Sequence, residues 1–194
     1  MNILLINLYS TPNKFKKKKI MFKNIFKDKA NLIIKNWNNK NGIIKILKKG
    51  DINGIILSGS DFRIKKVNKG IIPEEVFTSN ISILGICYGF QYLVYYYSSL
   101  ANIKSFKIKN YNKYDKILKI NKPFKIDKTN YRFNHHDYII KLPKKWKISI
   151  KYKNIIYMGF YKKNIGIQFH PEIYKNSSKI FYSSWLDFIR KYIS

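Results

Sequence analysis

One stretch decides the fold, Ile83-Leu84-Gly85-Ile86-Cys87-Tyr88-Gly89-Phe90-Gln91. An apolar run ends at the only cysteine of the chain, a helical pattern follows, and a glycine lies two positions to either side of that cysteine. This order predicts a buried strand, a sharp turn and a helix, with the Cys87 side chain exposed at the turn. The glycines would permit a strained backbone, and the helix N-terminus would stabilise a thiolate. The stretch therefore predicts a cysteine nucleophile.

The rest of the chain alternates in a way that suits such a turn. Apolar runs predict buried strands over residues 3–8, 30–37, 54–57 and 82–86, with helical spacing between them. From residue 103 to residue 161 short strand-like pieces follow one another, the first over 104–108 and a later one over 131–133, with turns at 110–112, Pro123 and Pro143. A last strand over 166–169 precedes a last helix. We therefore expect an α/β fold, with a mostly parallel open sheet, helices on both faces and a small antiparallel strand section.

Composition limits the class of protein. A chain of 194 residues with 45% hydrophobic residues suits one globular domain, which we expect to span residues 1–194. A single cysteine excludes an internal disulfide and favours a reducing compartment, here the cytoplasm. No apolar segment is long enough to span a bilayer, so no membrane contact is expected.

The net charge of +29 has two interpretations. A strongly basic chain is typical of proteins that bind polyanions, but the abundance of Lys, Asn, Ile, Tyr and Phe also indicates an AT-biased genome. The lysines are spread along the chain rather than gathered on one element, which favours the second interpretation, and nucleic acid is not expected as a partner. The run Lys16-Lys17-Lys18-Lys19 is either a phosphate-binding or localisation patch or, as we favour, the solvated start of a helix.

A thiol nucleophile needs a base that holds its proton and later passes it to the leaving group. His170 follows the last predicted strand, and Glu172 lies two positions further on, where an extended backbone would point both side chains the same way. Because Cys87 and His170 both follow strands of one parallel sheet, we expect them to meet as nucleophile and base, with Glu172 orienting His170. An inert core thiol and a satisfied, partly buried histidine are the alternatives.

Four segments carry a resemblance to a known family. Residues 85–91, Gly-Ile-Cys-Tyr-Gly-Phe-Gln, and residues 166–172, Gly-Ile-Gln-Phe-His-Pro-Glu, resemble the two signature motifs of class I glutamine amidotransferases. Leu57-Ser58-Gly59 is similar to the oxyanion loop of that family, and Asn134-His135-His136-Asp137 is similar to its segment beside bound glutamine. Within that family, the presence of Tyr88, His135 and Asp137 makes the chain most similar to the amidotransferase subunit of GMP synthases. The resemblance covers nearly the whole chain and implies a flavodoxin-like core.

The resemblance implies a role for each motif. Cys87, His170 and Glu172 would form the catalytic triad of a glutaminase that works through a γ-glutamyl thioester. The oxyanion would be held by backbone N–H groups of the residues Gly59, Ser60 and Tyr88. Bound glutamine would contact four residues, the last two through backbone groups: Gln91, Asn134, His136 and Asp137. His135 would have a structural or partner-facing role rather than a catalytic one.

The resemblance also implies a partner. The chain ends at Ser194, directly after its last predicted helix, so we expect the ammonia to pass to a separate synthetase, such as the ATP pyrophosphatase of a GMP synthase. No cofactor and no metal are expected in this chain, and ATP and Mg²⁺ are expected only on the partner. Because hydrolysis without an acceptor would waste glutamine, we expect low activity alone and stimulation by the partner.

One departure from the family pattern lies opposite the nucleophile. Gly59-Ser60-Asp61 stands where the family usually has Gly-Gly-Pro, and a positive φ at Ser60 would cost about 1–3 kcal/mol. Two other functions remain open: a γ-glutamyl peptidase-like hydrolase on the same fold, and a degenerate, non-catalytic basic binding protein.

Overall fold

The computed structural model describes residues 1–66, 68–106 and 112–193. Strands and helices alternate in the first half, because each apolar run is followed by a segment with apolar residues at helical spacing. The elements are β1 (Asn2–Asn7), α1 (Pro12–Phe26), β2 (Asn31–Asn36), α2 (Lys40–Lys48), β3 (Ile52–Leu57), α3 (Glu75–Thr78), β4 (Ser82–Ile86) and α4 (Tyr88–Tyr97).

The second half is built of strands up to its final helix. Its elements are β5 (Ile103–Ser105), β6 (Asn112–Ile120), β7 (Ile126–His135), β8 (Asp137–Ile139), β9 (Lys147–Tyr152), β10 (Ile155–Tyr161), β11 (Asn164–Ile167) and α5 (Lys175–Arg190). No helix of the described part of the chain is both long and apolar enough to cross a membrane.

The strands form one large sheet and one hairpin. The large sheet has the order β2-β1-β3-β4-β11-β10-β8-β5, and β9 pairs with β10 beside this path. The five strands from β2 to β11 are parallel, and those beyond them pair antiparallel. Strands β6 and β7 pair with each other as a separate antiparallel hairpin. The predicted α/β fold with a parallel open core and an antiparallel section is confirmed.

Helices cover both faces of the sheet. Side chains alternate along a strand, so Ile3 and Leu5 of β1 belong to the apolar cluster shared with α1 and α5. Leu4 and Ile6 of the same strand belong to the cluster shared with α2 and α4. Burial on both faces explains why the central strands are continuously apolar rather than alternating.

The carboxyl ends of β3, β4 and β11 lie side by side, because β4 pairs with both neighbours in parallel. The residues that follow these strands are therefore brought to one edge of the sheet, where open α/β folds bind ligands. This edge carries Gly59, Cys87 and His170.

Element boundaries differ from prediction at two places that matter for the site. Strand β7 is one continuous strand that includes Asn134 and His135, which were expected in a loop, because it pairs with β6 along its whole length. Strand β11 ends at Ile167, two residues early, and the chain then continues to His170 outside the main ladder. Parts of the strand predicted over 104–108 and of the turn predicted at 110–112 lie outside the described residues.

Candidate active site

Cys87 occupies the turn between β4 and α4 in a strained backbone conformation. Its φ is +52° and its ψ is −102°, a region that costs a residue with a side chain about 1–3 kcal/mol. Two hydrogen bonds hold the turn: Cys87 N–H donates to the Ile167 carbonyl at 2.7 Å, and Gln91 N–H donates to the Cys87 carbonyl at 3.1 Å. The predicted exposure of this side chain is wrong, because Cys87 is only 5% exposed and lies at the wall of a cavity.

The glycines beside Cys87 serve close packing rather than the strained turn. Neither Gly85 nor Gly89 has a positive φ. A Cβ on Gly89 would lie 2.3 Å from the Leu57 carbonyl oxygen, and a Cβ on Gly85 would lie 2.7 Å from the Gly89 carbonyl oxygen. The glycines therefore allow α4 to approach β3 and β4 closely, and the strain is concentrated in Cys87 itself.

His170 and Glu172 are in contact, although not through the extended backbone that was predicted. His170 Nδ1–H donates to Glu172 Oε1 at 2.8 Å, and both side chains are buried. Residues Pro171–Ile173 form a turn of 3-10 helix, which brings the carboxylate back to the imidazole. The His170 backbone is fixed separately, because its N–H donates to the Arg132 carbonyl of β7 at 2.8 Å. The position and the tautomer of this imidazole are therefore both set by hydrogen bonds.

A lysine from α1 completes the charge cluster. Lys18 Nζ lies 2.9 Å from Glu172 Oε1, with a side chain that is only 18% exposed. Burial alone would raise the pKa of Glu172, but the positive charges of Lys18 and His170 lower it well below its ordinary value. Burial alone would lower the pKa of His170, but its interactions with Glu172 and Cys87 raise it above its ordinary value. An anionic Glu172 beside a cationic His170 is the favoured state at neutral pH.

Sequence reasoning missed Gln168, a fully buried side chain at the nucleophile. Its Nε2 donates to Cys87 Sγ at 3.5 Å, while the thiol faces the Asn134 carbonyl at 3.6 Å. The Gln91 side chain supports this contact, since its Nε2 donates to Gln168 Oε1 at 3.3 Å and to the Asp137 carbonyl at 2.7 Å. The signal for Gln168 was its spacing of two residues from His170.

The loop after β3 faces the nucleophile without the strain considered above. Ser60 does not have a positive φ, and its Oγ donates to the Leu8 carbonyl at 2.6 Å. Asp61 accepts hydrogen bonds from Ser10, from its N–H at 2.8 Å and from its hydroxyl at 2.6 Å. Gly59 lies so close to the base that a Cβ there would be 3.0 Å from His170 Cε1. Local hydrogen bonds thus stabilise the loop with these residues in place.

The segment from Asn134 to Asp137 uses most of its polar groups internally. The Asp137 carboxylate accepts two hydrogen bonds from Arg63, through Nε at 3.2 Å and Nη2 at 3.0 Å, and a third from the Ser105 hydroxyl at 2.7 Å. The His136 carbonyl accepts the Phe106 N–H at 2.9 Å. Within the described residues the buried Asn134 Oδ1 has no hydrogen-bond partner, which leaves it available to a ligand.

These groups surround one cavity of about 490 Å³. The predicted site residues that line it are Ser60, Cys87, Tyr88, Gln91, Asn134, His136, Asp137 and His170. Four cationic side chains also reach its wall, and they are Lys18, Arg63, Lys113 and Arg132. The two carboxylates at the wall, Asp61 and Asp137, are each paired with a cation. Lys18, Arg63 and Arg132 are likewise paired, with Glu172, Asp137 and Asp115, so the wall keeps only a small positive excess and suits a small polar ligand. The described part of the chain holds no cluster of three residues suited to a metal ion.

Comparison with known proteins gives matches in both sequence and fold. The family model for glutamine amidotransferase class-I matches residues 15–184. Among solved structures, the glutaminase domain of Trypanosoma brucei CTPS, with bound acivicin, aligns with a TM-score of 0.69 at 13% identity, over 97% of this chain and 92% of that one. A glutamine amidotransferase from Thermotoga maritima aligns with a TM-score of 0.55 at 16% identity, over 100% of this chain and 85% of that one.

Curated relatives are similar in sequence over most of the chain. The glutamine-hydrolysing GMP synthase of Wigglesworthia glossinidia brevipalpis is 34% identical over 158 residues, which is 74% of this chain and 30% of that protein. The glutamine-hydrolysing GMP synthase of Borreliella burgdorferi strain N40 is 32% identical over 136 residues, 67% of this chain and 26% of that protein. The chain thus matches less than a third of the length of either relative.

Proposed function

The chain belongs to the class I glutamine amidotransferase family, and from this premise we propose that it hydrolyses the side-chain amide of glutamine through Cys87, His170 and Glu172. The observation that carries the proposal is the arrangement around one cavity. A thiol on a strained turn and an imidazole meet at this cavity from two separate segments, and a buried carboxylate two residues after the imidazole is bonded to it. A buried structural histidine would have no need of such an arrangement.

The proposed reaction has two steps. Cys87 Sγ attacks the glutamine side-chain carbonyl, a C–S bond forms, and the C–N bond breaks as His170 gives its proton to the leaving nitrogen, so ammonia departs. Water then attacks the γ-glutamyl thioester while His170 takes a proton from it, which releases glutamate and restores the thiol. Glu172 holds the imidazole in the tautomer and orientation that both steps need.

The negative charge of each tetrahedral intermediate needs donors. We assign that role to the backbone N–H groups of Tyr88, at the start of α4, and of the Gly59-Ser60 loop. The loop lies against His170, as the 3.0 Å approach at Gly59 requires. Removing one such donor typically costs about 3–4 kcal/mol of transition-state stabilisation.

Bound glutamine would be oriented by the groups that the fold leaves free. We propose that Asn134 Oδ1 accepts a hydrogen bond from the α-ammonium group, because it is a buried acceptor without a partner in the described chain. The small positive excess at the wall would attract the α-carboxylate. Gln91 and the side chain of Asp137 would act indirectly, since the Gln91 amide nitrogen and the Asp137 carboxylate are already bonded within the protein. Contacts from His136 and Asp137 would therefore use backbone N–H groups.

We propose that the ammonia passes to a separate synthetase of the GMP synthase kind. The support is the similarity to glutamine-hydrolysing GMP synthases. On this proposal residues 1–194 are one amidotransferase domain in the cytoplasm. It needs no cofactor or metal of its own, and ATP and Mg²⁺ are used by the partner.

Glutamate release from glutamine tests the proposal. Cys87→Ala should lower the rate at least about 10³-fold, because no other group in the cavity can form the thioester. Ser82→Ala is the matched control, since Ser82 is buried at the other end of β4 and bonds only to the Lys163 carbonyl among the described contacts. It should keep the wild-type rate.

Equal rates for wild type and Cys87→Ala would refute the triad. A wild-type rate on γ-glutamyl peptides above that on glutamine would show instead that the protein is a hydrolase of the γ-glutamyl peptidase kind.

A further inference from the structure

We propose that Lys18 is a positioning residue of this site, which fixes the Glu172 carboxylate and through it sets the protonation of His170, the base beside Cys87. The role in turnover rests on the proposed function, but the electrostatic role does not. Nothing in the sequence separated Lys18 from its neighbours, because it lies in a run of four lysines.

The structure distinguishes Lys18 from the neighbouring lysines. Lys18 lies three residues after Phe15 and four before Phe22, both buried, so all three lie on the inward face of α1. Lys16, Lys17 and Lys19 are exposed, whereas the Lys18 side chain is 18% exposed and ends at Glu172. One lysine of the run is therefore held by the site, and the others face solvent.

Lys18 contacts the same Glu172 oxygen that accepts the hydrogen bond from His170. Glu172 Oε1 accepts from His170 Nδ1 at 2.8 Å and from Lys18 Nζ at 2.9 Å. Within the described chain no donor reaches Glu172 Oε2, although that oxygen is buried. Lys18 thus supplies one of the two hydrogen bonds that hold this carboxylate against the imidazole, so its loss would leave the carboxylate with a single restraint.

No other cation within the described residues is as well placed to replace it. Lys18, His170 and Tyr182 interact with Glu172 directly. The other charged groups that line a pocket with this carboxylate are Asp28, Lys29, Lys175 and Lys179. Of the lysines in this set only Lys18 is bonded to the carboxylate, and Lys29 donates to the Ser183 hydroxyl instead.

The electrostatic consequence has a definite sign. A positive charge favours the deprotonated form of every acid near it, so removing it raises the pKa of Glu172 and of His170. Cys87 depends on this imidazole as its base, so the pH profile of its reactivity moves in the same direction. A residue that only filled space would not move this profile.

Alkylation of Cys87 by iodoacetamide measures the profile directly. The chain has one cysteine, so labelling is unambiguous, and the rate can be followed from pH 5 to pH 9.5 without any substrate. For Lys18→Met the profile should move to higher pH by about half to one unit, with a several-fold lower rate at pH 6 to 7. Lys18→Arg should restore the wild-type profile, because it keeps the charge and a donor.

Lys17→Met is the matched control, since it removes one charge from the exposed face of the same helix and should leave the profile unchanged. A Lys18→Met profile that coincides with wild type overturns the proposal, as does an equal shift for both variants. If circular dichroism shows that Lys18→Met is unfolded, Lys18→Gln keeps a polar side chain and must show the same alkaline shift. Because alkylation needs no turnover, absent glutaminase activity in the wild type would count against the proposed function alone.

Discussion

His135 is a buried, uncharged histidine at the wall of the cavity. It is 3% exposed, its Nδ1–H donates to the Asp137 carbonyl at 3.1 Å, and its ring packs against Phe106 and Phe133. Burial, the largest influence, lowers the pKa of His135 to about 4, although the hydrogen bond to Asp137 opposes this shift. Of the two roles left open for this residue, the structural one fits these contacts, since a partner could not reach the ring.

The buried neutral ring predicts a loss of stability in mild acid. In the unfolded chain His135 is protonated near pH 6.5, whereas in the folded protein it is protonated only near pH 4. The free energy of unfolding is therefore highest above pH 6.5 and falls below it. Between pH 7.5 and pH 4.5 His135 alone should cost about 2.5 kcal/mol of unfolding free energy. His135→Asn removes the titrating group and keeps an amide donor. Its unfolding free energy, measured by urea titration, should therefore fall less than that of the wild type across the same pH range, by the same amount.

His170 and Glu172 act in other pH windows, and His136, whose pKa is also lowered, is present in both proteins and cancels from the comparison. The raised pKa of His170 gives stability that is complete below pH 6.5 and is lost as pH rises above it. The lowered pKa of Glu172 gives stability that is present above pH 4.5 and is lost in stronger acid. Parallel curves for wild type and His135→Asn from pH 7.5 to pH 4.5 would refute the assignment to His135.

Single residues were predictable from sequence where a motif names them and not where only packing does. Cys87, His170 and Glu172 could be chosen because each has a distinctive neighbourhood in the chain. Lys18 could not, since its role depends on which face of α1 meets Glu172, more than 150 residues away. Arg63 is a similar case, because only the fold places it against Asp137.

At the scale of elements, the contact of α4 with β3 and β4 determines where the nucleophile stands. The first turn of α4 lies directly against the end of β3, at the distance that Gly89 permits. A larger residue there would push the helix and the Cys87 turn away from the sheet. The close contact is also the reason that the strained turn persists, because packing on both sides leaves it no alternative.

Gly89→Ala should therefore destabilise the protein. The added methyl group would lie 2.3 Å from the Leu57 carbonyl oxygen, and backbone at both ends of the contact cannot move independently. We expect a loss of about 2–3 kcal/mol of unfolding free energy, measured by urea titration.

Gly70→Ala provides the comparison. A Cβ on Gly70 would have no atom within 4 Å, so its unfolding free energy should stay within about 0.5 kcal/mol of wild type. Equal stabilities for the two variants would show that α4 can relax away from β3.

Secondary-structure elements were predictable from the sequence where burial makes a run of residues uniformly apolar. Strand β4 was predicted with the bounds that the structure shows, since its five residues are all buried and a turn signal follows. Strand β7 was predicted as shorter, because its alternation is interrupted by polar residues whose burial depends on β6 and on the site. The end of β11 was placed too late for a related reason: Gln168 and Phe169 are buried by the site and by α5 rather than by strand pairing.

At the scale of the whole molecule, the charge of +29 acts against the compact state. Folding brings 39 basic side chains together with only 10 acidic ones to balance them. Several of those carboxylates are already committed to specific pairs, among them Asp61, Asp137 and Glu172. The remaining repulsion is spread over the surface and is screened by salt.

Raising the ionic strength should therefore stabilise the protein. Between 20 mM and 500 mM sodium chloride we expect the thermal midpoint to rise by several degrees. The Debye screening length falls over this range from about 20 Å to about 4 Å, so salt removes more repulsion than attraction. Choline chloride at equal ionic strength should act alike if screening, rather than binding of a particular cation, is the cause. A midpoint that falls with salt would show that the ion pairs outweigh the general repulsion.

The overall architecture followed from the sequence more completely than the surroundings of the site did. Continuous apolar runs separated by helical segments leave few alternatives to a parallel sheet covered on both faces. The position of the β6–β7 hairpin had no such signal. Its direct contacts with His170 and Cys87 are made by the backbone carbonyls of Arg132 and Asn134, and backbone contacts leave no trace in the side-chain pattern.

Through these two backbone groups, β7 sets the distance between His170 and Cys87. The Arg132 carbonyl holds the His170 backbone, and the Asn134 carbonyl faces the Cys87 thiol. Since they are two residues apart on one strand, both carbonyls point to the same side, and the length of that dipeptide sets the separation of base and nucleophile. Inserting one residue between them would turn one carbonyl to the opposite side and release one partner. At this point the site depends on the length of the chain more than on its side chains.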